Sequence, residues 1–273
     1  MKLDGKTILI TGSTDGVGRV VALRLAEAGA EVLVHGRDTA RGESLLAEMR
    51  AKGNDKGRFY RADLASLAET RSLAETIIRN HPRLDVLINN AGLGSGPKRQ
   101  ERSTSQDGHE LRFAVNYLAG FLLTQLLLPL LKKSAPSRIV NVASLGQQPL
   151  DFADVMLTKG YDGGRAYSQS KLAQITFTVD LGRELADSGV TVTALHPATY
   201  MDTTMVRQAG AAPLSSTAEG AEAILNLAVE PALAGESGVF YNGLRPSRAH
   251  AQAYDEKAQG QLRRLSRELT GLP

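Results

Sequence analysis

The chain has 273 residues, 42% of them hydrophobic, a formal charge of +3 and no cysteine. A chain of this length buries roughly three quarters of its unfolded surface, so it needs neither disulfide nor structural metal, and one domain over 1–273 is expected. Lysine and arginine are dispersed rather than massed, which argues against a nucleic-acid partner, and no signal-like stretch precedes the first apolar run; a cytoplasmic protein without a membrane partner is expected.

Short β-branched runs alternate with longer helical patterns from the start of the chain. Strands are predicted at residues 7–10, 31–35, 58–61, 86–88, 138–142, 190–195 and 239–241, and a C-terminal helix at about 248–270. This alternation specifies an α/β, single-domain, doubly wound Rossmann fold with a seven-stranded parallel sheet, whose ligands sit at the carboxyl edge. Residues 94–102, 146–162 and 198–216 read as loops bordering that edge, the last as the substrate loop.

The first strand runs into Thr11-Gly12-Ser13-Thr14-Asp15-Gly16-Val17-Gly18 and then a helical pattern with Val20, Val21, Leu23 and Leu25. Strand, glycine turn and helix in this order make a dinucleotide site: Gly12 turns the chain, Gly16 admits the diphosphate and Gly18 lets the helix pack closely. The second strand ends in His35-Gly36-Arg37-Asp38, without the carboxylate that would bind an NAD ribose at the strand end. Arg37 instead suits the 2′-phosphate of NADP, so NADP is the expected cofactor, with NAD the alternative if Asp38 turns inward.

Farther along, Ser66 with Glu69 and Ser103 with Gln106 have the form of capping boxes. The leucine-rich stretch 117–131 is short for a membrane span and is interrupted by Pro129, so a core or subunit-interface helix is predicted. Ser144 follows the fifth strand, where its hydroxyl can bond a substrate oxygen. Tyr167 and Lys171 lie four apart on a helical pattern and so share one face. Tyrosine can give a proton to a carbonyl oxygen that is accepting hydride, provided that its pKa falls from about 10, and a neighbouring ammonium favours the phenolate. Neither the five histidines nor the acids around them have metal-ligand spacing, and Ser144 lacks a nucleophile-elbow sequence.

Taken in order, these motifs resemble the short-chain dehydrogenase/reductase family over nearly the whole chain. Thr11 to Gly18 is similar to its cofactor motif, Asp63-Leu64 to its adenine-contact pair, and Asn89-Asn90-Ala91-Gly92 to its sheet-stabilising motif. The resemblance implies a catalytic set of Asn116, which holds a water in the proton relay, Ser144, which orients the substrate, Tyr167, the acid/base, and Lys171, which binds the ribose. It implies cofactor contacts from Gly12, Ser13, Asp15, Gly16, Val17, Gly18, Arg37, Asp63, Leu64, Asn90, Ala91, Gly92, Tyr167, Lys171 and Pro197. Tyr161 to Tyr167, Ser170 to Ala173 and Leu195-His196-Pro197 look most like the retinol-dehydrogenase and carbonyl-reductase branch. An oxidoreductase of a hydrophobic carbonyl or alcohol is expected, with a non-catalytic NADP sensor on the same fold as the alternative. Leu93, Leu145, Phe152, Tyr161, Tyr200 and Met205 are candidates for the apolar pocket wall.

Three features depart from the family pattern. Ala198 takes the place of the usual glycine after Pro197, the segment 199–204 is one residue longer, and the interval from Ser144 to Tyr167 is extended. The first two put nicotinamide contacts by Thr199 or Thr203 in doubt. The third implies a homodimer or a monomer rather than the common tetramer.

Overall fold

The computed structural model describes residues 2–96 and 101–273; part of the loop expected at 94–102 lies outside the described residues. In chain order the elements are β1 (Thr7–Ile10), α1 (Gly16–Glu27), β2 (Glu31–Gly36), α2 (Thr39–Ala51), β3 (Arg58–Arg61), α3 (Leu67–Asn80) and β4 (Val86–Asn89). A π-helical turn (Phe113–Leu118) then leads into α4 (Ala119–Lys133). After it come β5 (Ser137–Val142), α5 (Gly163–Glu184), β6 (Val190–His196), a short α6 (Thr204–Gln208), α7 (Thr217–Val229), β7 (Val239–Asn242), β8 (Arg245–Ser247) and α8 (Glu256–Thr270). All strands join one sheet in the order β3-β2-β1-β4-β5-β6-β7-β8. The chain reverses its direction of travel across the sheet between β1 and β4, so a crevice opens there at the carboxyl edge.

Both faces of the sheet are buried, as a parallel sheet requires. Successive residues point to opposite sides: Leu9, Leu33, Leu87 and Ile139 join the core under α3, α4 and α5, while Ile8, Ile10, Val32, Val34 and Ile88 join the core under α1, α2 and α7.

The sheet has eight strands, not seven, and its last pair is antiparallel. The cause is a two-residue turn after Asn242, opened by Gly243 at φ 58°, which folds Arg245–Ser247 back along β7. Pro246 fits there because an edge strand leaves its missing N–H unchallenged.

Of the two capping boxes, Ser66 accepts the Glu69 N–H at 3.2 Å and starts α3. Ser103 starts no helix. The chain instead makes a bridge between Thr104 and Glu110, and the Glu110 carboxylate accepts the Phe113 N–H at 2.7 Å at the head of the π turn. The leucine-rich stretch also differs from expectation. The helix runs unbroken from Phe113 to Lys133, 21 residues whose most apolar 18-residue stretch has a mean hydropathy of 1.7, and by length and composition alone it is able to cross a membrane. Pro129 lies within it, and 72% of the apolar stretch is buried inside the fold. That burial outweighs the roughly 3 kcal/mol cost of an interior proline.

Candidate active site

The glycine turn is shaped by contacts on both sides. Gly12 has φ 63°, and a Cβ there would meet the Ala91 Cα at 2.8 Å; a Cβ on Gly18 would lie 2.4 Å from the Gly12 carbonyl oxygen. Asn90 Nδ2 donates to the Thr11 and Gly12 carbonyls at 2.8 and 3.1 Å, and Thr11 Oγ1 accepts the N–H groups of Asn90 and Ala91. Ser13 is wholly buried and uses both its N–H and its hydroxyl on the His35 backbone, so it ties β1 to β2 rather than offering its side chain to a ligand. Val17 turns its side chain into the core, leaving only its backbone for a ligand. The first intrahelical bond of α1 runs from Arg19 N to Asp15 O. The Val17 and Gly18 N–H groups precede it and, with the positive end of the helix, suit a diphosphate.

At the adenosine end, Arg37 is exposed, with Asp63 4.0 Å away. Asp38 caps α2 through the Arg41 N–H, which occupies one of its carboxylate oxygens. Sequence reasoning missed Arg41. Its guanidinium reaches Asp15 at 3.2 Å and Asp38 at 3.6 Å, which puts a second cation on this rim. Asp63 accepts the Ala65 N–H, Leu64 is buried beside it, and Pro197 follows the end of β6.

The four expected catalytic residues come from three segments, the π turn (Asn116), the end of β5 (Ser144) and α5 (Tyr167 and Lys171), and meet at the carboxyl edge. Asn116 lies in the π turn, a form of helix frequent at functional sites. Its Oδ1 accepts the Leu93 N–H at 2.6 Å, and its Nδ2 donates to the Leu93 carbonyl at 3.0 Å and to Ser170 Oγ at 2.9 Å. Ser170 in turn donates to the Tyr167 carbonyl, which locks the helix carrying Tyr167 to the π turn. Ser144 Oγ accepts the Gly146 N–H at 3.0 Å and lies beside the Tyr167 hydroxyl. A side chain at Gly146 would begin 3.5 Å from Ser144 Oγ and 3.6 Å from the Tyr167 ring; a Cβ on Gly92 would lie 3.3 Å from Asn116 Oδ1 and 3.5 Å from Lys171 Nζ. The two glycines keep the space beside these groups open, as a nicotinamide with its ribose requires.

Electrostatics here run against the fall expected for the tyrosine. Burial raises the Tyr167 hydroxyl above its ordinary value, with the Ser144 hydroxyl opposing the rise and Tyr200 adding to it. The same burial brings Lys171 down to about 7, so its ammonium is only partly charged near neutrality. The expected fall of the tyrosine pKa is therefore absent from the protein alone: desolvation disfavours both charged forms.

Other expectations are redistributed. Tyr161 is no apolar wall; its hydroxyl bonds Arg112 Nη1 at 2.6 Å and Glu110 Oε1 at 3.1 Å. Phe152 packs against the core, whereas Leu145, Tyr200 and Met205 are exposed around the cleft. The segment 198–216 contains α6, and there Thr199 Oγ1 pairs with His196 Nε2 at 3.0 Å while Thr203 caps the helix. Thr204 reaches back to Asp15 at 3.2 Å.

Comparisons with known proteins agree with this architecture. Residues 6–213 match the family described as short chain dehydrogenase. The chain is 39% identical to retinol dehydrogenase 13 of Homo sapiens, over 99% of this chain and 86% of that protein. Among solved structures it is similar to an uncharacterised protein from Mycobacterium Paratuberculosis, with 28% identity, a TM-score of 0.81, and 99% and 95% of the two chains covered. It also resembles the RhlG/NADP active-site complex of Pseudomonas aeruginosa, with 28% identity, a TM-score of 0.73, and 88% and 95% covered. The chain thus belongs to the short-chain dehydrogenase family, and it is an oxidoreductase that acts on CH–OH and C=O groups of a small molecule with a nicotinamide cofactor.

Proposed function

We propose that this oxidoreductase uses NADP and interconverts a hydrophobic carbonyl compound and its alcohol, with Tyr167 as the acid/base. The observation that carries the reading is the convergence of Asn116, Ser144, Tyr167 and Lys171 around the space left by Gly92 and Gly146. When bound, the nicotinamide supplies or accepts the hydride. Ser144 holds the substrate oxygen beside the Tyr167 hydroxyl, and Tyr167 gives that oxygen its proton in reduction or removes it in oxidation. Lys171 holds the ribose and steadies the phenolate, while Asn116 fixes the wall formed by Leu93 and connects the proton path. Arg37 and Arg41, both on the adenosine rim, support NADP, and so does the likeness to the RhlG/NADP complex. The exposed Leu145, Tyr200 and Met205, together with the resemblance to retinol dehydrogenase 13, support an apolar substrate.

The test is NADPH consumption with aliphatic, aromatic, steroid-like and polyene aldehydes or ketones. Tyr167→Phe is expected to abolish turnover while NADPH still binds. Retained turnover in that variant would remove Tyr167 from the chemistry, and selective turnover of small charged sugars would refute the apolar substrate. NADPH binding without turnover of any carbonyl would favour a sensor.

A further inference from the structure

Lys171 is almost wholly buried, and the acceptors around its ammonium are neutral: Nζ donates to the Val142 carbonyl at 2.8 Å and to Gln174 Oε1 at 2.9 Å. A lysine ammonium has three protons, and taking it out of water costs several kcal/mol unless they are bonded. Val142 ends β5, and Gln174 stands less than one helical turn beyond Lys171 on α5. Gln174 is buried as well, and its backbone is held in place from the sheet. Its carbonyl accepts Thr178 Oγ1 at 2.8 Å, Thr178 accepts Asn141 Nδ2 at 2.8 Å, and Asn141 Oδ1 accepts Asn89 Nδ2 at 2.9 Å. A ladder of buried polar groups thus runs from β4 through β5 to the turn of α5 that bears the lysine.

We infer that Gln174 is a positioning residue for Lys171: with the Val142 carbonyl it holds two of the three ammonium protons and leaves the third for the cleft beside Gly92 and Tyr167. The inference deepens the proposed function and rests on the reading of Tyr167 and Lys171 as the working pair. A carboxamide suits this task because it accepts a hydrogen bond without cancelling the charge. A carboxylate in its place would form a buried ion pair and weaken the positive field at the tyrosine, and a thioether would leave the proton without a strong acceptor. The titratable groups facing the ammonium are Tyr167 on the same helix and His196 at the end of β6, whose imidazole is lowered first by burial and then by the Lys171 charge. Tyr200 faces Tyr167 from the loop beyond.

The experiment compares the full-length wild type with Gln174→Met and Gln174→Glu. The Lys171 ammonium is titrated by NMR in protein carrying ¹⁵N-labelled lysine, without cofactor, and Lys171→Met identifies the signal. The proton affinity of Lys171 is expected to fall roughly tenfold in Gln174→Met and to rise at least tenfold in Gln174→Glu. The pH dependence of the NADPH Kd, read from the fluorescence of NADPH itself, and the alkaline limb of kcat/KM should move in the same two directions. Gln174→Glu is nearly isosteric, so the test survives if Gln174→Met does not fold. Unchanged lysine titration beside normal wild-type turnover would overturn the positioning role alone, whereas a wild-type chain that binds no NADPH would overturn it together with the proposed function.

Discussion

His35 sits two residues before Arg37, and both its ring nitrogens are in use. The Gly12 N–H donates to Nδ1 at 3.1 Å, and Nε2 lies 3.2 Å from the Ala62 carbonyl. Both bonds together require the neutral ring with its proton on Nε2. Burial agrees, bringing the pKa from 6.5 to about 4. As pH falls, the unfolded chain takes up this proton near 6.5 and the folded chain does not, so stability is lost from about pH 6.5 down to pH 4. At roughly 1.36 kcal/mol per pH unit the loss approaches about 3 kcal/mol. Urea unfolding of His35→Gln is expected to show about 1 kcal/mol less stability at pH 7 and a shallower decline towards pH 4.5; an equally steep decline would place the acid sensitivity elsewhere. At the adenosine rim, Arg37→Gln and Arg41→Gln should each weaken NADPH binding tenfold to a hundredfold and leave NADH nearly unaffected. Equal losses for both cofactors would remove the arginines from phosphate recognition. The glycine turn and the shared helical face of Tyr167 and Lys171 were legible because both are written in local spacing. His35, Arg41 and Gln174 were not, because a strand histidine, a helix arginine and a helix glutamine become informative only when the fold brings Gly12 to His35, Asp15 to Arg41, and the Val142 carbonyl to the same lysine ammonium that Gln174 holds.

The extended interval before α5 is fastened by a buried charged cluster rather than by an apolar wall. Arg112 Nε and Nη2 donate to the Gly94 and Ser95 carbonyls at 2.7 Å, and Nη1 meets the Tyr161 hydroxyl with Glu110 3.8 Å away. Burial and the Glu110 carboxylate push Tyr161 up to about 12, so it stays a neutral donor throughout the working pH range. Arg112→Leu would strand Glu110 and two carbonyl groups, at a cost of about 3–5 kcal/mol, whereas Tyr161→Phe removes one hydroxyl at about 1–2 kcal/mol. Urea unfolding of the two variants should reproduce that order, and a small cost for Arg112→Leu would mean that water reaches the cluster. This element was opaque in the sequence because an aromatic residue in a loop gives no sign of a partner 49 positions away. The failed box at Ser103 has a similar origin: the motif is local, but Glu110 competes for the start of the same helix and is held there by tertiary contacts.

At the scale of the molecule, the βαβ order and the crevice followed from periodicity, while the eighth strand, only three residues long, was too short to show any. The leucine-rich helix was legible as apolar but not in its surroundings. Its Tyr117 and Phe121 meet Phe177 of α5 edge to face, and α8 lies over them: Tyr117 Oη and Ser266 Oγ are 2.7 Å apart, Arg263 pairs with Asp180, and Arg183 bonds Gln259 at 2.8 Å. Removal of residues 256–273 is expected to produce aggregates on size exclusion; a monodisperse truncated protein would show that α8 is dispensable. For the intact chain, light scattering is expected to give a monomer or a dimer, and a tetramer mass would contradict the effect assigned to the extended interval. The position of α8 also bears on how the molecule is made. A ribosome delivers the apolar helix well over a hundred residues before α8, so for much of synthesis its aromatic cluster has only α5 against it and not the helix that lies over both. Any pause or stop before α8 emerges therefore yields a nascent chain with its sheet largely assembled and this apolar patch open, a substrate for chaperones rather than a finished enzyme.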